Sequence, residues 1–126
     1  MDEMYRENML DHHKNPRHQG KPSEYNFSYD DKNPLCGDQV EIFGLIKDGV
    51  LKDVGFEGKG CIICMSSTSI LLEEVYGKSK EELDKFSKED LFDLIGVSLT
   101  PSRVKCAMLP FVCLKKGLLS YEGGKK

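Results

Sequence analysis

No apolar run in this 126-residue chain approaches the length of a membrane span, which argues against a bilayer helix. The start, Met1-Asp2-Glu3-Met4, is acidic and no apolar stretch follows it, so a secretory leader is not expected. Strong charge of one sign is missing as well. Lys and Arg number 18 against 21 Asp and Glu, a net charge of −3, which gives no reason to expect nucleic acid as a partner. Internal repeats, low-complexity tracts and linker-like stretches are also absent, so a single domain over residues 1–126 is expected, large enough to bury a core. Hydrophobic residues make up 39% and charged residues 31%, as in ordinary soluble chains. Five cysteines, an odd number with no leader before them, point to a reducing compartment, the cytoplasm, where thiols are free or act as ligands rather than pair.

The pattern of apolar residues predicts an α+β fold: a three-stranded antiparallel sheet with helices on one face. A first helix is expected from Glu3 to His13, with Met4, Met9 and Leu10 as its apolar points, ending before Asn15-Pro16. Tyr25 to Tyr29 alternates aromatic and polar residues and reads as a strand. Val40, Ile42, Leu45 and Ile46 mark a second, and Val50 to Phe56 a third, with Asp48-Gly49 as the hairpin turn between them. The period then changes. Met65 to Val75 reads as a helix stopped by Gly77. Ser79 with Glu82 and Ser87 with Asp90 have capping-box spacing and open two short helices, the second reaching about Ile95. Pro101 opens a last helix to Tyr121, with a frayed tail after it.

Three cysteines stand in settings suited to a metal. Cys36 lies in Asn33-Pro34-Leu35-Cys36-Gly37-Asp38, where a thiol and a carboxylate flank a permissive glycine. Cys61 follows Gly58-Lys59-Gly60, and Cys106 follows Arg103 and Lys105, cations that favour a thiolate. The expected hairpin sets the start of strand two beside the end of strand three, which brings Cys36 and Cys61 together. Cys106 is placed near the amino end of the last helix, whose dipole favours the thiolate further. Thiolates select zinc, Cu(I) or iron–sulfur species, and a carboxylate, Asp38, makes a fourth, more labile ligand. Read as residues alone, these cysteines fit either a metal centre or ordinary core thiols; the Cys-Gly-Asp turn and the glycines before Cys61 suit a packed element poorly.

The same residues carry a family resemblance. Tyr5 with Asp11-His12-His13-Lys14-Asn15-Pro16-Arg17-His18-Gln19-Gly20, then Asn33 to Asp38, Phe56 to Cys61, Ser66-Ser67-Thr68-Ser69 and Arg103-Val104-Lys105-Cys106-Ala107-Met108-Leu109 run in order along nearly the whole chain. Together they resemble the IscU/SufU type of iron–sulfur cluster assembly scaffold, the family of the NifU amino-terminal domain. The resemblance implies a scaffold rather than an enzyme. It would take sulfur from a cysteine desulfurase, bind iron, assemble a [2Fe–2S] cluster and deliver it to apo iron–sulfur acceptor proteins, with zinc able to occupy the same ligands. It implies Cys36, Asp38, Cys61 and Cys106 as ligands, Asp38 as the residue governing release, and Cys106 (as in IscU) or Cys36 (as in SufU) as the persulfide acceptor.

The two branches divide on details. IscU proteins carry His just before the last cysteine, whereas this chain has Lys105, as SufU proteins have a basic residue there; yet the Cys61 to Cys106 spacing is that of IscU, without the SufU insertion. The chaperone-binding motif of IscU is matched only in part by Leu99 to Lys105. The alternative function is therefore a zinc-dependent SufU-type sulfur-transfer protein that activates a desulfurase, and a plain structural zinc domain is a third. Cys64 forms C-x-x-C with Cys61 but is expected in the core, as is Cys113, about two helical turns from Cys106. His12 and His13 read as a polar helix end, while Lys14 and Arg17 are candidates for a docking surface. The apo chain is expected to be monomeric and the loaded chain to form a cluster-dependent homodimer, with Tyr5 and the first helix at the contact.

Overall fold

The structure, a computed structural model, describes the backbone of residues 2–33, 37–96 and 99–124. Helix α1 (Asp2–Lys14) leads into strands β1 (Phe27–Asn33), β2 (Asp38–Lys47) and β3 (Val50–Lys59). Helices α2 (Ile62–Val75), α3 (Lys80–Lys85), α4 (Lys88–Ile95) and α5 (Pro101–Gly124) follow. The strands form an antiparallel meander in the order β1-β2-β3 with helices packed against it, which is the expected α+β architecture. Asp48 and Gly49 both take positive φ, 56° and 76°, as a two-residue turn matched to strand twist requires. β1 starts two residues late and continues through Asp30, Asp31 and Lys32. An edge strand with one solvated face tolerates such charges, which the alternation of aromatic residues could not reveal.

α2 is the central helix. Nine of its 14 residues are buried, among them Ser66, Ser67, Thr68 and Ser69, each 0% exposed. These small residues let α1 and α5 approach closely. The Ser67 hydroxyl donates to the Ala107 carbonyl of α5 at 2.7 Å, and the Thr68 hydroxyl to the Cys64 carbonyl at 2.7 Å. The apolar core around them joins Ile42, Leu51 and Phe56 of the sheet to Leu71, Leu72, Leu91 and Leu114 of the helices. Each such side chain contributes about 1.5–3 kcal/mol by leaving water.

Both short helices carry reciprocal capping boxes, Ser79 with Glu82 and Ser87 with Asp90. α4 ends on Gly96 in the left-handed region (φ 69°), and a side chain there would strike the Tyr5 ring, so Tyr5 is seated on this turn. α5 runs past the expected end at Tyr121 to Gly124 and holds Pro110 in its interior. Proline has no N–H to give, so the helical bond to the Cys106 carbonyl is missing at the residue that bears a candidate ligand. The apolar reading of α1 needs correction. Only Met9 reaches the core (4% exposed), while Met4 is 74% and Leu10 41% exposed. A polar network, described below, also ties this helix to α2.

Candidate metal centre

The register brings the site together at one end of the sheet. Asn33 pairs with Asp38 and Gln39 with Lys59, so β1 ends, β2 begins and β3 ends side by side. Asp38 is buried, and one carboxylate oxygen, Oδ1, accepts the Cys61 N–H at 2.9 Å. The other, Oδ2, lies 3.5 Å from the Cys61 thiol. Gly60 makes this possible, because a methyl group there would sit 2.8 Å from Asp38 Oδ1 and 3.0 Å from its Cγ.

Cys61 is the N-cap of α2, in extended backbone, and its Sγ accepts the Cys64 N–H at 3.4 Å. This is the capping role that Ser or Asp usually fills, performed by sulfur. Cys106 comes from α5. The Cys61 and Cys106 sulfurs and a carboxylate oxygen of Asp38 all lie within 4.8 Å of one another. A tetrahedral ion with metal–sulfur bonds of about 2.3 Å holds its ligand atoms at comparable separations, so two thiols and a carboxylate so placed fit such an ion with little adjustment. The fourth expected ligand, Cys36, falls outside the described residues.

One electrostatic expectation changes. Cys106 was expected to draw on the dipole of a helix start, but it sits in the second turn of α5, beyond the first-turn reach of that effect. The cysteine at a helix start is Cys61. Arg103 and Lys105 are exposed, whereas Cys106 is buried. The remaining two cysteines lie in the core, as expected. Cys64 is 0% exposed. Cys113 is equally buried, lies 3.5 Å from the Val40 carbonyl, and has its thiol pushed up to about 12 by burial and by the nearby Asp31 and Asp30 carboxylates.

A second polar cluster, which the sequence reading passed over as a helix end, ties α1 to α2. His12 is buried; its Nδ1 lies 2.7 Å from Ser69 Oγ and its Nε2 3.3 Å from Glu73 Oε1. The Arg17 N–H donates to the same Ser69 Oγ at 2.8 Å. Glu73 can only accept, so Nε2 carries the proton and the Ser69 hydroxyl donates to Nδ1, an assignment made from the network. Burial first, then the Arg17 guanidinium, hold His12 below its ordinary value of 6.5, against the pull of Glu73 and Asp11. Tyr5, Met9 and His12 are four and three residues apart, one face of a helix, and that spacing was the available signal. Arg17, expected as a docking residue, is spent internally on Asp11 at 2.6 Å and the Asn15 carbonyl at 3.1 Å, while Lys14 is exposed.

A three-stranded α+β domain with thiols and a carboxylate converging at one sheet end defines a class of small thiolate metal-binding proteins. Within it, residues 4–126 match the family model of the NifU-like N-terminal domain, and the chain belongs to that family, which includes IscU and SufU. It is 34% identical to the zinc-dependent sulfurtransferase SufU of Bacillus subtilis, with 98% of this chain and 95% of that protein aligned. That alignment spans 141 positions, more than the 126 residues present here, so the relative carries segments this chain lacks. It is 35% identical to the iron–sulfur cluster assembly scaffold protein IscU of Thermotoga maritima, over 91% of this chain and 92% of that one. Among solved structures, a candidate iron–sulfur cluster assembly scaffold protein for the SUF system from Fervidobacterium islandicum superposes with a TM-score of 0.76 at 30% identity, covering 89% of this chain and 94% of that one.

Proposed function

We propose that this chain is an iron–sulfur cluster assembly scaffold of the cytoplasm. It accepts sulfur from a cysteine desulfurase, gathers iron on Cys36, Asp38, Cys61 and Cys106, builds a [2Fe–2S] cluster and passes it to apo acceptor proteins. The observation that carries this reading is the convergence of Asp38, Cys61 and Cys106 within 4.8 Å, on a fold whose family supports the partners. Sulfur arrives by exchange: a thiolate of Cys106 or Cys36 attacks the outer sulfur of the donor's persulfide. The donor's S–S bond breaks, a new one forms on the scaffold, and the donor leaves as a thiolate. Asp38 serves release. With Oδ1 tied to the Cys61 N–H, the oxygen beside the Cys61 sulfur is Oδ2, and a carboxylate is a harder, more exchangeable partner for iron than a thiolate.

Lys105, in the place where IscU proteins carry His, and the likeness to a zinc-dependent sulfurtransferase favour a second reading, in which zinc holds the same ligands and positions the acceptor thiol. Anaerobic reconstitution with ferric iron, sulfide and a thiol separates the two. A [2Fe–2S] chromophore that moves to an apo-ferredoxin is expected for the scaffold. Firm zinc occupancy with stimulated desulfurase turnover and no transferable cluster would favour the sulfurtransferase, and inert zinc with neither activity would leave a structural zinc domain. The apo chain is proposed to be monomeric and the loaded chain to dimerise about the site, which light scattering on both samples tests.

A further inference from the structure

The two outer edges of the sheet are treated differently. The edge of β3 is covered. Phe56 gives its N–H to the His18 carbonyl at 3.0 Å and takes the Gly20 N–H at 2.7 Å, and Ser79 bridges Val50 farther along. Among the described residues nothing bridges the outer edge of β1. An open strand edge is a row of backbone donors and acceptors ready to pair with another chain.

Beside that edge lies a groove of about 250 Å³ between β1 and α5, with Met108 and Val112 as its apolar floor and Asp31, Lys32, Asn33 and Lys105 on its rim. Two of the groove's lining residues neighbour the metal centre: Asn33 is the register partner of Asp38, and Lys105 precedes Cys106. The Asp31 carboxylate is 3.9 Å from Lys116 Nζ, while Lys32 and Lys105 have no acidic partner among the described residues. The charges lining the groove, Asp31 against Lys32 and Lys105 with Lys116 nearby, sum to positive.

We propose that the open edge of β1 and this groove form the docking site for an extended, acidic segment of the sulfur-delivering protein. The segment adds as a fourth strand and leads toward Cys106. The proposal rests on the scaffold reading above. Strand addition supplies backbone hydrogen bonds, and alternate side chains supply selectivity. Apolar ones fall on Met108 and Val112, and acidic ones meet Lys32 and Lys105, whose charge also speeds encounter.

The test uses the full chain and the purified cysteine desulfurase of the same source, with hydrogen–deuterium exchange and titration calorimetry. Slowed exchange over residues 27–33 in the complex is expected. Lys32→Glu and Val112→Glu should each weaken desulfurase binding by tenfold or more. Reconstitution with inorganic sulfide, which bypasses the donor, should stay at the unaltered level. Should Val112→Glu fail to fold, Lys32→Glu, at an exposed position, carries the test. Unchanged affinity with no protection of residues 27–33 overturns the docking site and leaves the scaffold reading standing. Protection of the same residues in the concentrated scaffold alone assigns the edge to a second copy and also overturns it. Failure of the unaltered protein to reconstitute with inorganic sulfide counts against the scaffold reading instead, and the calorimetry still decides the docking site.

Discussion

Asp38 and His12 are buried alike, each 2% exposed, and both bond to α2. Asp38 meets the helix at its N-cap through the Cys61 N–H, and His12 meets it farther along at Ser69. Their partners differ in kind. Both ring nitrogens of His12 face protein groups with no other chemistry to do, so the cluster of Ser69, Arg17 and Glu73 is closed. Asp38 faces two thiols, groups that bind metals, and Gly60 keeps the space for it. Burial therefore does not separate a working polar group from a structural one; the chemistry of its neighbours does. The same holds for the cysteines, because Cys106 and Cys113 are both buried on α5, yet only Cys106 has Asp38 and Cys61 beside it.

The largest expected effect breaks the metal side of the comparison. Cys61→Ser and Cys106→Ser should each abolish a stable cluster and firm zinc binding, measured as metal per chain after anaerobic loading. Cys64→Ser and Cys113→Ser should load normally and cost about 1–3 kcal/mol of stability, the ordinary range for a small core change that buries a hydroxyl. A normal cluster on Cys61→Ser would remove the site. With its thiol at about 12, Cys113 should also resist iodoacetamide in the native protein and react once the chain is unfolded, as read by mass spectrometry.

Asp38→Ala should slow cluster transfer to an apo-ferredoxin several-fold and make the bound cluster more persistent, because the exchangeable oxygen is gone. Equal or faster transfer would take Asp38 out of the mechanism. Gly60→Ala should move transfer in the same direction by displacing the carboxylate rather than deleting it. His12→Ala belongs to the other cluster. It should cost about 2–3 kcal/mol in urea unfolding, since it opens space and strips Ser69 of a partner, while metal content per folded chain stays unchanged.

The site was more legible than the packing that frames it. That the start of strand two, with Cys36 and Asp38 at it, lies beside Cys61 could be expected because the Asp48-Gly49 turn makes those strand ends neighbours; the bulge between Leu45 and Ile46, which shifts the pairing by one residue, was not legible. The cap role of Cys61 was not legible, since cysteine is no usual N-cap and the helix was expected to begin at Met65 rather than Ile62. Ser66 to Ser69 look polar in a linear reading, and only the arrival of α1 and α5 on two sides of α2 buries them. Met4 and Leu10 misled for the opposite reason. Apolar residues are common on surfaces, so their presence did not say which face of α1 turns inward.

The smallest effect sharpens the comparison through pH. The ordinary value for His12 is 6.5, and burial lowers it in the folded chain. Above about pH 6.5 the ring is neutral in both states, so its cluster contributes in full. As the pH falls below 6.5 the unfolded chain takes up a proton that the folded chain refuses, and stability declines until the lower folded value is passed. The slope of a single such group does not exceed about 1.4 kcal/mol per pH unit. Urea unfolding of the apo protein from pH 8 to 5 should therefore show a steeper loss below 6.5 for the unaltered chain than for His12→Gln, which keeps hydrogen-bonding capacity without a titration. His13 and His18 are common to both chains and cancel in the difference. Parallel profiles would mean that His12 does not titrate in this window. A loss appearing only in the loaded protein would trace the effect to the metal ligands instead of the α1–α2 cluster.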